Sequence, residues 1–254
     1  MYRDKVIKLI SFDATNTFLH FRKPLETFYA DSASRFGIRD AVDIAKIPRS
    51  FVSAYKEADL KYPSFGYGSA VSPKQWWHMV ARNTLIQAGA NPGDNNLHGC
   101  AEYLYDLYRT VEPWLVQPWV PSLLQNLRQN YGLKLVVASN FDDRLAAILD
   151  GFGVLRYFDD VFLSGLLGVA KPDPKFFNAI SERFPTFERR EMLHVGDSYE
   201  KDFIAAREAG MKSLLIVPSN CSVGAKYPDD KLSTINDLTQ LRMRLIAYES
   251  QILR

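Results

Sequence analysis

Val6-Ile7-Lys8-Leu9-Ile10-Ser11-Phe12-Asp13-Ala14-Thr15-Asn16-Thr17 sets the architecture of this chain. It opens as an apolar, β-branched run and stops at a carboxylate followed by small polar residues. Such a run reads as a buried strand of a sheet covered on both faces, with Asp13 delivered to its carboxyl end. Open α/β sheets bind their ligands in the crevice beyond those ends. Asp13 is therefore the first candidate for chemistry.

Beyond Trp114, helical and strand-like runs alternate. Helices are predicted over residues 120–131, 142–151, 174–184 and 200–210, and strands over 133–138, 161–163, 192–195 and 213–217. An amphipathic helix from about 235 to 248 closes the chain. This alternation predicts an α/β fold with a doubly wound, Rossmann-like parallel sheet that the first strand must join. Residues 25–110 instead read as helical, with no convincing buried strand. Gly37 stops a helix over 25–36, and a second runs over 42–60 around Pro48. Ser72-Pro73 caps a third over 73–88, and a fourth over 96–108 places Leu97, Cys100, Ala101, Leu104 and Leu107 on one apolar face. The expected domains are an α/β core of residues 1–19 and 115–254 and a helical insertion of residues 20–114. Within the insertion, 61–71 sets Pro63, Gly66 and Gly68 among Tyr62, Phe65 and Tyr67, a loop that either overhangs a substrate or joins two helices. Trp76 and Trp77 read as core aromatics.

At 254 residues with 47% hydrophobic and 24% charged residues, the composition is that of a soluble globular protein. The net charge of +2 is dispersed, and Arg189-Arg190 and Arg242/Arg244 read as solvated surface, which argues against nucleic-acid or anionic-membrane partners. Two cysteines, Cys100 and Cys221, make no disulfide framework and lack metal-ligand spacing. No apolar run reaches transmembrane length, and the first strand begins too early to leave room for a signal sequence. The expectation is a reduced, intracellular, cytoplasmic protein.

Four polar clusters follow strand-like runs or open helices: Asp13-Ala14-Thr15-Asn16-Thr17, Ser139-Asn140, Lys171-Pro172-Asp173-Pro174, and Gly196-Asp197-Ser198 with Asp202 beyond. In a parallel sheet the first, second and fourth emerge at one edge. Singly, each is ordinary cap or turn chemistry. Together they make a cup of carboxylates, one ammonium and a hydroxyl–amide pair, suited to a small anionic, phosphorylated substrate with a hard cation such as Mg²⁺ between it and the carboxylates. Asp13 is placed to attack phosphorus and form a covalent intermediate. Lys171 offsets charge on the transferring group, while Ser139 and Asn140 donate to its oxygens. His20, His78, His98 and His194 show no ligand spacing, and His194 reads as packed or supporting.

The ordered set resembles the haloacid dehalogenase-like hydrolase superfamily, through Phe12-Asp13-Ala14-Thr15-Asn16-Thr17, Val137-Ala138-Ser139-Asn140, Lys171-Pro172-Asp173-Pro174 and His194-Val195-Gly196-Asp197-Ser198 with Asp202, Ala206 and Gly210-Met211. Within it the chain resembles the domain-containing protein 3 group, through Tyr62-Pro63, Tyr67-Gly68, Gln75-Trp76-Trp77 and Ser139-Asn140-Phe141-Asp142 with Arg144-Leu145. The resemblance implies that the insertion is a cap domain and Asp13 the nucleophile. It implies a Mg²⁺ site made by Asp13, the Thr15 carbonyl and Asp197. Ser139 and Lys171 would hold the phosphate, and Asp202 would support the metal's water shell or Lys171.

Thr15 departs from the pattern. Phosphatases of the superfamily carry there a second aspartate that protonates the leaving group and later activates water. A threonine hydroxyl does neither near neutrality, and general acid–base help is worth about 10²–10⁴-fold. Phosphatase turnover is therefore expected to be weakened. In this Thr15 resembles the P-type ATPases, whose aspartyl-phosphate persists. Asn16 stands where many members have glycine and is suited to a left-handed backbone. Two alternatives follow from the missing acid. One is a 2-haloacid dehalogenase-type hydrolase, opposed by the retained Asp197 and Asp202 and by the lack of an assignable halide-binding arginine among Arg35, Arg39 and Arg49. The other is a catalytically weak or inactive binding or regulatory protein.

Overall fold

The computed structural model describes residues 7–217 and 233–251. Val6 and Cys221 lie outside the described residues. Among the described residues eight strands form in chain order: β1 (Leu9–Phe12), β2 (Leu19–Phe21), β3 (Trp114–Val116), β4 (Lys134–Ser139), β5 (Asp160–Leu163), β6 (Met192–Gly196), β7 (Lys212–Ile216) and β8 (Thr234–Ile235). Six make one sheet in the order β5-β4-β1-β6-β7-β8, parallel at every pairing. The chain thus winds outward from β1 in both directions, the doubly wound α/β fold expected from the alternation. Every residue of β1 and β6 is buried, as a strand covered on both faces requires. On one face Phe176, Phe177 and Ile180 of helix Pro174–Arg183 pack with Leu9, Val136 and Met192.

The contacts divide the chain into two units. One takes the residues up to His20, Val116–Asn140 and those from Gly153 onward; the other takes Phe21–Leu115 and Phe141–Phe152. The second unit is helical, with Leu25–Arg35, Ile47–Lys61, Pro73–Gln87 and Asn95–Leu107. Ser72 closes a full capping box with Gln75. Pro48 falls in the first turn of its helix, where its missing N–H costs nothing. Trp76 is fully buried and donates Nε1–H to the Tyr62 carbonyl at 2.9 Å. Phe65 from the 61–71 loop is also buried, 5.0 Å from the Trp76 ring. Cys100 is in the core. Trp77 is only half-buried and donates to Asp142. Asp142 is fully buried and clasped by Arg144, whose guanidinium lies 4.5 Å from the Trp77 ring and 4.9 Å from that of Tyr105.

β2 and β3 lie just outside the residues read as helical and form a separate two-stranded sheet; three residues each are too few to show a period. Two sequence expectations need correction. The helix expected over 200–210 is a π-helical turn, Tyr199–Ile204, followed by Ala205–Glu208. The closing helix starts at Leu241, because Ile235 pairs with β7 and Asp237 caps a 3₁₀ turn first.

Candidate active site

The centre of the sheet builds the site. β1 lies between β4 and β6, with Phe12 level with Val137 on one side and Val195 on the other. The residues that follow these three strands therefore emerge side by side. The Asp13 N–H still donates to the Val195 carbonyl at 2.9 Å, so the carboxylate projects from a backbone fixed by the sheet. The chain then turns tightly, with Thr17, Phe18 and Leu19 all donating to the Ala14 carbonyl. Asn16 takes φ = 60°, the left-handed conformation its side chain tolerates best, and its Nδ2 donates to Asp197 Oδ2 at 3.1 Å.

A cavity of about 260 Å³ opens there, lined by Asp13, Thr15, Asn16, Ser139, Asn140, Lys171, Asp197, Ser198, Lys201 and Asp202. Every residue singled out from the sequence as a site candidate is among them. Lys171 is 3% exposed, and its ammonium donates to Asp13 Oδ1 at 2.8 Å, the Ala138 carbonyl at 2.7 Å and Asp202 Oδ1 at 2.5 Å. All three of its protons are thereby used. The Asn140 amide is also committed: Oδ1 accepts from the Lys171 N–H and Nδ2 donates to the Lys171 carbonyl, each at 2.8 Å. Asn140 thus pins the backbone that carries Lys171. Ser139, buried at the end of β4, also lines this cavity.

Carboxylate oxygens of Asp13, Asp197 and Asp202 lie within 4.8 Å of one another. Burial, with Asp202 and Asp197 close by, pushes the Asp13 carboxyl up from its ordinary value despite Lys171. Burial and Asp202 likewise push Asp197 up, against the Asn16 hydrogen bond. Asp202 goes the other way: although burial opposes its charge, Lys171 and His194 hold it below the usual carboxylate range. Both of its oxygens are occupied, Oδ1 by Lys171 and by His194 Nε2 at 3.1 Å, Oδ2 by the Ser198 N–H at 2.9 Å. Lys171 stays protonated against the cost of burial because Asp13 and Asp202 surround it. Three clustered carboxylates beside one ammonium, itself committed to Asp13 and Asp202, leave negative charge for a cation to offset, and an all-oxygen donor set fits a hard divalent ion.

Sequence reasoning missed several parts of this geometry. The amide exchange of Asn140 with Lys171 joins residues far apart in sequence and has no local signal. Lys201, an exposed residue of the π-helical turn, lines the cavity; its place between Ser198 and Asp202 was the available clue. Gly196 is required where Asp202 folds back, since a Cβ there would stand 2.3 Å from Asp202 Cγ. Arg35 stacks on Tyr103 and Arg39 donates to the Val42 carbonyl, both within the second unit. No helix among the described residues is long and apolar enough to cross a membrane.

Residues 7–210 match the family model for haloacid dehalogenase-like hydrolases. Haloacid dehalogenase-like hydrolase domain-containing protein 3 from Bos taurus is 34% identical over 210 residues, 83% of this chain and 82% of the relative. Two solved structures share the fold. A HAD phosphatase from Thermococcus onnurineus superposes with a TM-score of 0.66 at 23% identity, over 94% of this chain and 98% of its own. A 2-haloacid dehalogenase from Pseudomonas syringae pv. Tomato DC3000 gives 0.63 at 21%, over 95% and 99%. The chain belongs to the haloacid dehalogenase-like hydrolase family.

Proposed function

We propose that this member of the haloacid dehalogenase-like hydrolase family is a Mg²⁺-dependent phosphatase that hydrolyses a small phosphorylated metabolite through an aspartyl-phosphate on Asp13. One observation carries the reading: oxygens of three carboxylates lie within 4.8 Å of one another beside an ammonium already committed to two of them. A carboxylate attacking an uncharged carbon has no use for such a concentration of negative charge. A phosphoryl dianion can approach it only if a cation offsets the repulsion.

Asp13, the Thr15 carbonyl and Asp197 would hold the ion, with Asp202 supporting the site through Lys171. Bound Mg²⁺ would neutralise charge on the phosphoryl oxygens and orient the group. Lys171 holds Asp13 Oδ1, which leaves the other oxygen of that carboxylate to attack. An O–P bond forms as the bond to the leaving oxygen breaks, and Ser139 donates to a phosphoryl oxygen. Thr15 supplies no acid, so the leaving oxygen takes its proton from solvent. Water then attacks the phosphorus of the aspartyl-phosphate, releases phosphate and restores Asp13. Residues 20–114 act as the cap that selects the substrate.

Hydrolysis of an aryl phosphate with and without Mg²⁺, beside Asp13→Asn, tests the reading. Metal-dependent turnover abolished by the substitution is the expected result. Turnover that survives Asp13→Asn, or none in the unaltered protein, overturns it; hydrolysis of a 2-haloacid instead would assign the same aspartate to dehalogenation.

A further inference from the structure

Beneath the cavity runs a polar chain that none of the chemistry above uses. Ser11 on β1 and His194 on β6 are register partners in adjacent strands, and both are fully buried. A polar pair inside a sheet covered on both faces costs free energy unless each atom is satisfied. Here both side chains are. Ser11 Oγ and His194 Nδ1 are 2.9 Å apart, and His194 Nε2 is 3.1 Å from Asp202 Oδ1. Asp202 is ion-paired to Lys171 and offers only acceptors, so the hydrogen of the neutral imidazole must be on Nε2. Nδ1 then accepts, and the Ser11 hydroxyl donates to it at 2.9 Å in preference to the Leu193 carbonyl at 3.5 Å. Phe177, 5.0 Å away and edge-on to the imidazole, fixes the plane of the ring.

The consequence reaches Lys171. His194 Nε2–H and the Ser198 N–H hold the Asp202 carboxylate at its two oxygens, and Asp202 in turn shares the ammonium with Asp13. We propose that Ser11 and His194 are positioning residues, locking one imidazole tautomer so that Asp202 keeps the Lys171 ammonium on the Asp13 carboxylate. Neither touches the cavity; both act through Asp202. An apolar pair at these two positions would pack well and would leave Asp202 with one fewer donor and freedom to rotate away from Lys171.

The kinetic part of this inference rests on the phosphatase reading; its structural part does not. The test compares His194→Phe, which keeps a ring but no donor, with His194→Gln, which restores an amide donor, and Ser11→Ala. In the full-length protein, ¹⁵N spectra should show His194 as a single Nε2–H tautomer and a slowly exchanging Lys171 ammonium. His194→Phe should broaden or erase the ammonium signal, His194→Gln should restore it, and Ser11→Ala, which removes the donor to Nδ1 but leaves Asp202 to accept from Nε2–H, should broaden the His194 Nε2–H signal without changing the tautomer. With an aryl phosphate, His194→Phe should lower kcat by about 10–100-fold, the usual scale for removing an outer hydrogen-bond partner. The Mg²⁺ activation constant should stay within about twofold, and His194→Gln should recover most of the loss. An ammonium signal unchanged in His194→Phe overturns the proposal, as does a loss of kcat that follows thermal stability and is not recovered by glutamine. If the unaltered protein hydrolyses nothing, the phosphatase reading fails while the ammonium signal still decides this one.

Discussion

Thr15→Asp restores the acid that the cavity lacks, and its effect can be sized in advance. Thr15 is half-buried and lines the same cavity as the three carboxylates. An aspartate there would feel what Asp13 and Asp197 already feel, burial and like charge, both of which push a carboxyl up from its ordinary 3.8. It would therefore hold a proton at higher pH than a free aspartate, as a general acid needs to. Protonating a poor leaving group is worth about 10²–10⁴-fold, or about 3–5 kcal/mol at 1.36 kcal/mol per decade. An aryl phosphate, whose phenolate leaves unaided, should gain less than about tenfold. The assay is kcat/KM for an alkyl and an aryl phosphate at fixed Mg²⁺, with thermal denaturation to show that the variant is folded. A folded variant with no gain on the alkyl substrate, or with equal gains on both, refutes the argument that Thr15 limits protonation of the leaving group.

Two further outcomes follow. Asp13 and Asp197 are raised carboxyls, so in metal-free protein their contribution favours the fold below the unfolded value of 3.8 and is lost as pH rises through their folded values. A cation that binds only the ionised forms should act oppositely, so the rise in Tm produced by Mg²⁺ should grow from weakly acidic to neutral pH; a shift flat over that window contradicts the assignment. In the second unit, Arg144→Ala leaves the buried Asp142 without its cation, which should lower stability by about 3–5 kcal/mol in denaturant titration; a loss below about 1 kcal/mol would show that the pair is not needed.

Much of the molecule was legible because its signals are local. Apolar runs ending in Asp13, in Ser139 and before Asp197 declare strands and the edge where ligands gather, and Ser72-Pro73 declares a helix start. Asn16 could be read from its conformational tolerance alone, and it adopts the expected φ. What escaped depends on tertiary pairing or on elements too short to carry a period. β2, β3 and β8 have three, three and two residues. The π-helical turn bends the segment so that Asp202 meets both Lys171 and the Ser198 N–H, and no periodicity encodes that. Ser11 and His194 sit inside strands whose neighbours make every position look like core, so their roles emerge only from the register that sets them side by side.

The most direct test is to trap the intermediate. The protein is mixed with an aryl phosphate and Mg²⁺, quenched in acid, digested and analysed by mass spectrometry. With Thr15 unable to activate water, a phosphoryl group should accumulate on the peptide carrying Asp13, and it should be absent after Asp13→Asn. Metal-dependent turnover with no phosphorylated Asp13, or with the phosphoryl group on another residue, would contradict the account.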